Sequence, residues 1–337
     1  QNYTTDPDNP NTGEVWYNET SNTLKFQYPA VTTVGSWRTG NSLNTARNQL
    51  AGSGTQTSAI AAGGLVPPNS PSITTETYNG TSWTEVNDLN TGRYGLAGAG
   101  ADSTASLAFG GFTSPPDATY NNTETFNGTN WTEVNNLNTA RLHLGAAGAT
   151  NTAALAIGGY TVPPVTAVTE SWNGTNWTEV NDLNTARRLL AANGTQTSAL
   201  AYGGWPPNMV VTESWNGTNW TEVNDLNTAR RAFGGAGADN TSALAFGGYT
   251  TTDLAVTEEW NGTNWTEVND LNTARNVLGG AGTQPAALAF GGDSPSVTAA
   301  TEEWTGAGQP IGAWTSGNAM NTGRYGIGGI GITTAAL

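Results

Sequence analysis

The chain repeats one stretch of its own sequence almost letter for letter. The segment ESWNGTNWTEVNDLNTAR occupies residues 170–187 and again residues 213–230, and it returns at residues 258–275 with one serine replaced by glutamate. A sequence that repeats at a fixed spacing folds as an array of one supersecondary unit, whose copies bury their apolar faces against each other. Each residue is therefore interpreted by its place in the repeat.

One tryptophan per unit sets the period, with spacings of 46, 48, 46, 43, 45 and 49 residues. A period in the forties is typical of propeller blades. An arginine follows each tryptophan after Asn-Thr-Ala or Asn-Thr-Gly, and a glycine follows seven residues later. The tryptophans are Trp37, Trp83, Trp131, Trp177, Trp220, Trp265 and Trp314, and the arginines are Arg47, Arg93, Arg141, Arg187, Arg230, Arg275 and Arg324.

Two further landmarks complete the unit. An apolar run ends in a Gly pair in the first six units, and Thr-Glu-x-aromatic then leads through Asn-Gly-Thr to the next tryptophan. Asn-Gly between two short runs is a strong hairpin signal, because both residues tolerate positive φ. The Gly- and Ala-rich run after each arginine suits an innermost strand, where backbones approach closely.

These landmarks resemble the kelch repeat, in which a Gly pair, a Glu-x-Tyr and a spaced tryptophan mark the strands of one propeller blade. The resemblance covers residues 23–337 and implies an all-β, kelch-like β-propeller of four-stranded blades. We expect seven blades. The closing blade would take two strands from residues 324–337 and two outer strands from residues 23–28 and 35–38, since closure removes exposed sheet edges. Six blades with a tail are the alternative.

Residues 1–22 are predicted to be a leader outside this ring, and residues 23–337 the propeller. Within the leader, Gly13, Trp16, Tyr17 and Asn18, followed by the run Asn22-Thr23-Leu24-Lys25, resemble a short hairpin of bacteriophage tail-fibre and virion proteins. The Asn- and Thr-rich repeats also look like those of phages, marine ones especially. An ordinary hairpin that leads into the propeller is the other interpretation.

Charge and composition limit the possible partners. The chain has a formal net charge of −15, with 11 basic and 26 acidic residues, which argues against nucleic acid as a partner. No uninterrupted apolar run is long enough to span a membrane. The chain has no cysteine, which excludes disulfides, thiol nucleophiles and zinc–thiolate sites. We expect no cofactor and no metal.

The loops after the Gly pairs are the most variable part of the repeat, and loops on a rigid scaffold are the usual seat of binding. Trp205 in one such loop is a candidate platform for a sugar ring, with Phe112, Tyr160 and Tyr249 at the matching positions; packing against the blade is the alternative. The repeated arginines either attract anions or pair with carboxylates such as Glu170, and their repetition favours pairing.

No catalytic constellation is visible. The kelch-type copper oxidases use a cysteine-crosslinked tyrosine and histidine ligands, whereas this chain has no cysteine and only His143. Asp88, Asp182, Asp225 and Asp270 recur in Asn-Asp-Leu-Asn turns and either bind calcium or cap backbone amides, and Asn136 replaces the aspartate in one copy. We therefore predict a protein that is not an enzyme; a depolymerase of host polysaccharide is the enzymatic alternative.

These features predict an extracellular virion component, a tail-fibre or appendage propeller that displays loops for contact with the host surface or with protein. It would attach to other virion proteins through its leader and form homo-oligomers, with a host-surface glycan as a possible partner. A secreted or cell-surface bacterial propeller of the lectin kind is one alternative. A structural subunit of an extracellular filament is another.

Overall fold

The computed structural model describes residues 34–307 and, before them, the strands Asn2–Tyr3, Val15–Asn18 and Thr23–Phe26. Every regular element in this described part is a β-strand. The chain divides into two units, one of residues 33–307 and one of residues 1–32 with 308–337. Trp314, Arg324 and the strands predicted at residues 324–337 lie outside the described residues.

Residues 36–305 form a β-propeller of six four-stranded antiparallel blades. In blades 1 to 5 the chain runs from the innermost strand to the outer one. The blades are Ala51–Thr55, Ser58–Ala62, Thr75–Tyr78, Trp83–Val86 (blade 1); Ala97–Asp102, Ala105–Phe109, Thr123–Phe126, Trp131–Val134 (blade 2); Gly145–Thr150, Ala153–Tyr160, Val165–Trp172, Trp177–Val180 (blade 3); Ala191–Gly194, Ala199–Tyr202, Thr212–Trp215, Trp220–Val223 (blade 4); Gly234–Asp239, Ser242–Phe246, Thr257–Trp260, Trp265–Val268 (blade 5); and Gly279–Thr283, Ala286–Phe290, Thr301–Thr305, Ser36–Gly40 (blade 6). Two short hairpins, Leu65–Val66 with Ser70–Pro71 and Phe112–Thr113 with Ala118–Thr119, lie in the loops of blades 1 and 2.

The strand Ser36–Gly40 closes the ring by serving as the outer strand of blade 6. It pairs antiparallel with Thr301–Thr305, with Trp37 opposite Trp304. Chain closure by a strand from near the start of the propeller is as expected, but its partners are three strands of residues 279–305 rather than two strands of residues 324–337. Thr23–Phe26 was expected in the closing blade, and it pairs instead with Val15–Asn18.

A closed circle of backbone hydrogen bonds at the axis joins the six described blades, where seven blades were predicted. One residue per blade donates its N–H to the carbonyl of the next residue around the circle, over 2.7–2.9 Å. The first and sixth blades meet directly, since a Cβ on Gly52 would lie 2.6 Å from the Gly280 carbonyl oxygen. The circle runs Gln49, Val277, Ala232, Leu189, His143, Gly95 and back to Gln49.

The blade boundaries hold the hydrophobic core. Six buried clusters each combine residues of two adjacent blades, and each includes the repeated tryptophan of an outer strand. That indole also donates a hydrogen bond of 3.0–3.2 Å to a threonine of the preceding blade, as from Trp177 to Thr123 and, across the closure, from Trp83 to Thr301. Burial of each large ring contributes a few kcal/mol.

The three strands of the leader form their own small sheet. Val15–Asn18 and Thr23–Phe26 are an antiparallel pair, and Asn2–Tyr3 adds to Tyr17 and Asn18 in parallel. The hairpin lies where the tail-fibre-like motif was found in the sequence.

Candidate binding face

The candidate site lies on the face of the propeller where the innermost strands begin, which we call the loop face. In each blade the residue after the repeated arginine exchanges backbone hydrogen bonds with the residue after the Gly pair, as Arg188 does with Trp205 over 3.0 and 2.8 Å. The six pairs on the loop face are Asn48–Leu65, Tyr94–Phe112, Leu142–Tyr160, Arg188–Trp205, Arg231–Tyr249 and Asn276–Asp293.

The Gly pair makes this pairing possible. Gly110 and Gly111 have φ values of 68° and 110°, a region that L side chains rarely adopt. A Cβ on Gly111 would lie 3.1 Å from the Tyr94 carbonyl oxygen, which itself accepts the Phe112 N–H. Glycine therefore lets the chain turn from the second strand onto the loop face beside the arginine-bearing loop of the same blade.

The repeated arginines lie beneath this face, fully buried, and each pairs with a buried glutamate of the third strand. The closest N–O distances are 2.5–3.1 Å, so pairing is the alternative that the structure shows for the six described arginines. Burial lowers the pKa of each arginine, which the glutamate opposes. The pairs are Arg47–Glu76, Arg93–Glu124, Arg141–Glu170, Arg187–Glu213, Arg230–Glu258 and Arg275–Glu302.

Each glutamate also holds the loop that carries its arginine. Glu170 accepts hydrogen bonds from the backbone N–H of Asn138 at 2.7 Å, from its side-chain amide at 2.8 Å and from the Thr139 N–H at 3.4 Å. Arg141 donates to carbonyl oxygens of its own blade, including that of Gly158 at 3.0 Å. These bonds fix the loop to the blade, so the residue after the arginine sits on a rigid support.

Two further arginines lie on the loop face and stack on the aromatic residues that the sequence singled out. The guanidinium carbon of Arg188 lies 4.3 Å from the ring centroid of Tyr160. Arg231 lies between two rings, 4.4 Å from Trp205 and 4.8 Å from Tyr249. These five residues run across blades 3, 4 and 5, and we call them the arginine strip.

The rest of the loop face has different chemistry. Phe112, the fourth aromatic candidate, packs edge-on against Tyr94 with centroids 5.6 Å apart, away from the strip. Asp293 accepts a hydrogen bond from the Asn48 side chain at 3.0 Å, and Asp253 accepts one from the Asn276 side chain at 2.6 Å. The face is thus cationic and aromatic over blades 3 to 5 and carries carboxylates over blades 5 and 6.

His143 lies at the axis beside the strip. Its Nε2 is 2.7 Å from the Gln49 side-chain oxygen, and burial together with nearby Arg188 lowers its pKa to about 4. A cavity of about 110 Å³ lies here, and it is lined by the circle residues and the residues that directly follow them, five leucines and Phe233. Further along the axis the innermost strands line a channel of about 260 Å³, mostly with Gly and Ala and also with Ser53, Thr55, Asn193 and Thr283.

The turn aspartates use their oxygens on the backbone. Asp182 accepts the Thr169 N–H at 3.1 Å, and Asp88, Asp225 and Asp270 do the same for their own third strands. Asn136 makes the equivalent bond, which needs no charge. Within the described residues, no group of three or more His, Asp or Glu side chains is placed to hold a metal ion.

Arg188 and Arg231 are not among the binding residues predicted from the sequence, although the sequence holds a signal for them. Both directly follow a repeated arginine, at a position where the other described units have Asn48, Tyr94, Leu142 and Asn276. This position varies among the units while the arginine before it does not, which indicates that Arg188 and Arg231 lie outside the shared framework.

No protein-family model matches this chain, and no curated protein matches it. No helix in the described residues is long and apolar enough to cross a membrane.

Proposed function

We propose that this chain is a non-enzymatic recognition module, a virion propeller of a phage tail fibre or appendage whose loop face contacts the host surface. The distribution of differences among the blades carries the proposal. The buried arginine, glutamate and tryptophan recur from blade to blade, whereas the six residue pairs on the loop face are all different. A framework held constant under a varied surface suits binding better than a purely structural role.

The blades are proposed to be of the kelch type. The Gly pair follows the second strand, the glutamate lies in the third strand and the tryptophan opens the outer strand, as in blade 2 with Gly110, Glu124 and Trp131. These are the places that the kelch pattern gives them. The buried ion pair accounts for the glutamate physically, because it neutralises an arginine that would otherwise be buried without a counter-charge.

The leader hairpin is proposed to attach the propeller to other virion proteins, in an extracellular, homo-oligomeric assembly. Support comes from the antiparallel pairing of Val15–Asn18 with Thr23–Phe26, which agrees with the tail-fibre-like motif, and from the separate unit to which these strands belong. A homo-oligomer is the ordinary way to place several copies of a recognition face on one fibre.

Electron microscopy of purified tailed particles, labelled with an antiserum against the full chain, tests this proposal. We expect label on the fibres or appendages, and none with serum from which the antibodies have been removed on the purified chain. Fibres without label, in particles that mass spectrometry shows to lack the chain, would contradict the virion role.

A second candidate is a secreted or cell-surface propeller of the lectin kind, favoured by the arginine strip. Sugar-binding sites combine aromatic ring faces with a few placed polar groups, and the strip has both. The same antiserum separates the two candidates, since this one predicts label on bacterial surfaces or in the culture fluid and not on particles. A cell-attached filament that carries regular label would instead support a structural filament subunit.

A further inference from the structure

We infer that the arginine strip is a binding site for an acidic glycan, whose pyranose rings carry carboxylates. This inference rests on the proposed recognition function and names the ligand class of the same face. The strip consists of Tyr160, Arg188, Trp205, Arg231 and Tyr249.

Unpaired positive charge is the first observation behind this inference. Of the nine described arginines, seven pair with a carboxylate: the six buried ones and Arg38, which pairs with Glu303. Within residues 34–307, Arg188 and Arg231 are the two without such a partner, in a chain with a formal net charge of −15. Both lie on the loop face, in adjacent blades.

The contacts of Arg188 and Arg231 with the aromatic rings limit the directions in which their N–H groups can donate to a ligand. An arginine that stacks on a ring keeps its N–H groups in the plane of the guanidinium, pointing away from the ring. Arg231 uses Nη1 to donate to the Asn208 side-chain oxygen at 2.6 Å and makes no other side-chain hydrogen bond within residues 34–307. The Nε of Arg188 is buried without a partner in the described residues, so the Nη groups of Arg188 are the donors that a ligand can reach. In-plane donors in a fixed fork match the two oxygens of a carboxylate.

The aromatic rings and the neighbouring charges favour a sugar over a free anion. Tyr160, Trp205 and Tyr249 are only partly buried, and an aromatic ring that stays partly exposed beside a guanidinium suits the apolar face of a pyranose. Asp253 and Asp293 lie on the adjoining part of the face, where they would repel a polyanion and confine it to the strip. Two arginines in an acidic chain are too few for the phosphates of a nucleic acid.

Calorimetric titration of the full chain with three uronate oligomers tests the inference: oligogalacturonate, alginate fragments and hyaluronate fragments. A neutral galactose oligomer and inorganic phosphate serve as the comparison probes. We expect one or more uronates to bind, more weakly as NaCl is raised, and the neutral oligomer and phosphate to bind at least tenfold more weakly.

Variants of the strip locate the site. Arg231→Gln and Arg188→Gln should each weaken uronate binding about tenfold or more, and Arg231→Lys should weaken it less, because the charge stays and the fork is lost. Arg38→Gln is the matched control, an exposed arginine on the outer strand of blade 6, and should bind as the unsubstituted chain does. Thermal unfolding of each variant checks that the propeller remains folded.

Three results would overturn the inference: no binding of any uronate at about 5 mM, equal binding of the neutral oligomer or phosphate, or unchanged binding by the Arg188 and Arg231 variants. Its failure is distinguishable from failure of the proposed function. If the strip variants bind uronates as the unsubstituted chain does, but the antiserum still labels fibres, the ligand class is wrong and the virion role stands. Uronate binding by a chain that is absent from particles supports the ligand class alone.

Discussion

Arg187 and Arg188 are adjacent arginines that lie in opposite environments. Arg187 is fully buried and paired with Glu213, whereas Arg188 lies on the loop face over Tyr160. Repetition predicted the first, since a residue present in every unit belongs to the shared framework. Residue type could not predict the environment of Arg188, because that environment depends on which ring the preceding blade brings alongside. The packing of the blades sets this contact.

A single titratable residue at the axis should make stability depend on pH. The pKa of folded His143 is about 4, against an unfolded value of about 6.5, so the stability that its neutral form contributes is complete above pH 6.5. As pH falls from about 6.5 to about 4, only the unfolded chain gains the proton, and the free energy of unfolding drops by an amount on the order of 3 kcal/mol. Arg188 is the charged neighbour that adds to this effect.

Urea denaturation of the unsubstituted chain and of His143→Gln between pH 4 and 7.5 measures this effect. Glutamine suits the site because Gln49 has the matching place in blade 1 at φ 51°, against 54° for His143. We expect the two curves to diverge below pH 6.5, with the variant the less sensitive. Parallel curves would contradict the lowered pKa.

At the scale of the strand and the blade, the repeat predicts the architecture well and the number of blades less well. The seven tryptophans suggest seven blades, whereas the six Gly pairs agree with the six blades that the structure describes. The Gly pair is the better guide because it ends a second strand, which exists only inside a complete blade. A tryptophan marks an outer strand, and Trp37 shows that such a strand can complete a blade formed elsewhere in the chain.

The buried ion pair should be a sensitive element of each blade. Glu170→Gln leaves Arg141 charged and buried without its counter-charge, which should lower the free energy of unfolding by about 3–5 kcal/mol. Glu179 is the matched control, since it lies opposite Glu170 in the register of the third and outer strands but is exposed. Glu179→Gln should change stability by less than about 0.5 kcal/mol. Urea denaturation measures both, and equal effects would mean that the pair contributes little.

For the molecule as a whole, closure and the chemistry of the loop face both depend on contacts between distant parts of the chain. The hydrogen-bond circle joins Gln49 to Val277, and it places the non-glycine residues Gln49, His143, Leu189, Ala232 and Val277 at φ values of 47–56°. Such values are uncommon for L residues and costly for a β-branched one such as Val277. A local pattern favours another conformation there, so the sequence could not predict a circle that forms only when all six blades meet.

Ring closure should distinguish two tryptophans that have the same local contacts. Trp37 and Trp177 each donate to a threonine of the preceding blade and pack in a boundary cluster, so Trp37→Ala and Trp177→Ala should each lower the free energy of unfolding by about 3–5 kcal/mol. Trp177 lies in a strand that a hairpin joins to its blade. The strand of Trp37 has no hairpin to Thr301–Thr305, and only non-covalent contacts hold it in blade 6. Loss of its indole should therefore release this strand locally, before the remaining blades unfold.

Limited trypsin digestion below the unfolding midpoint reads out this release, because Arg38 lies within the closing strand and its side chain is 70% exposed. We expect rapid cleavage after Arg38 in Trp37→Ala and slow cleavage there in Trp177→Ala at matched stability. A released strand also leaves the edge of Thr301–Thr305 unpaired, so only Trp37→Ala should associate as its concentration rises. Equal cleavage after Arg38 in both variants would mean that the six blades open together, with closure no weaker than any other boundary.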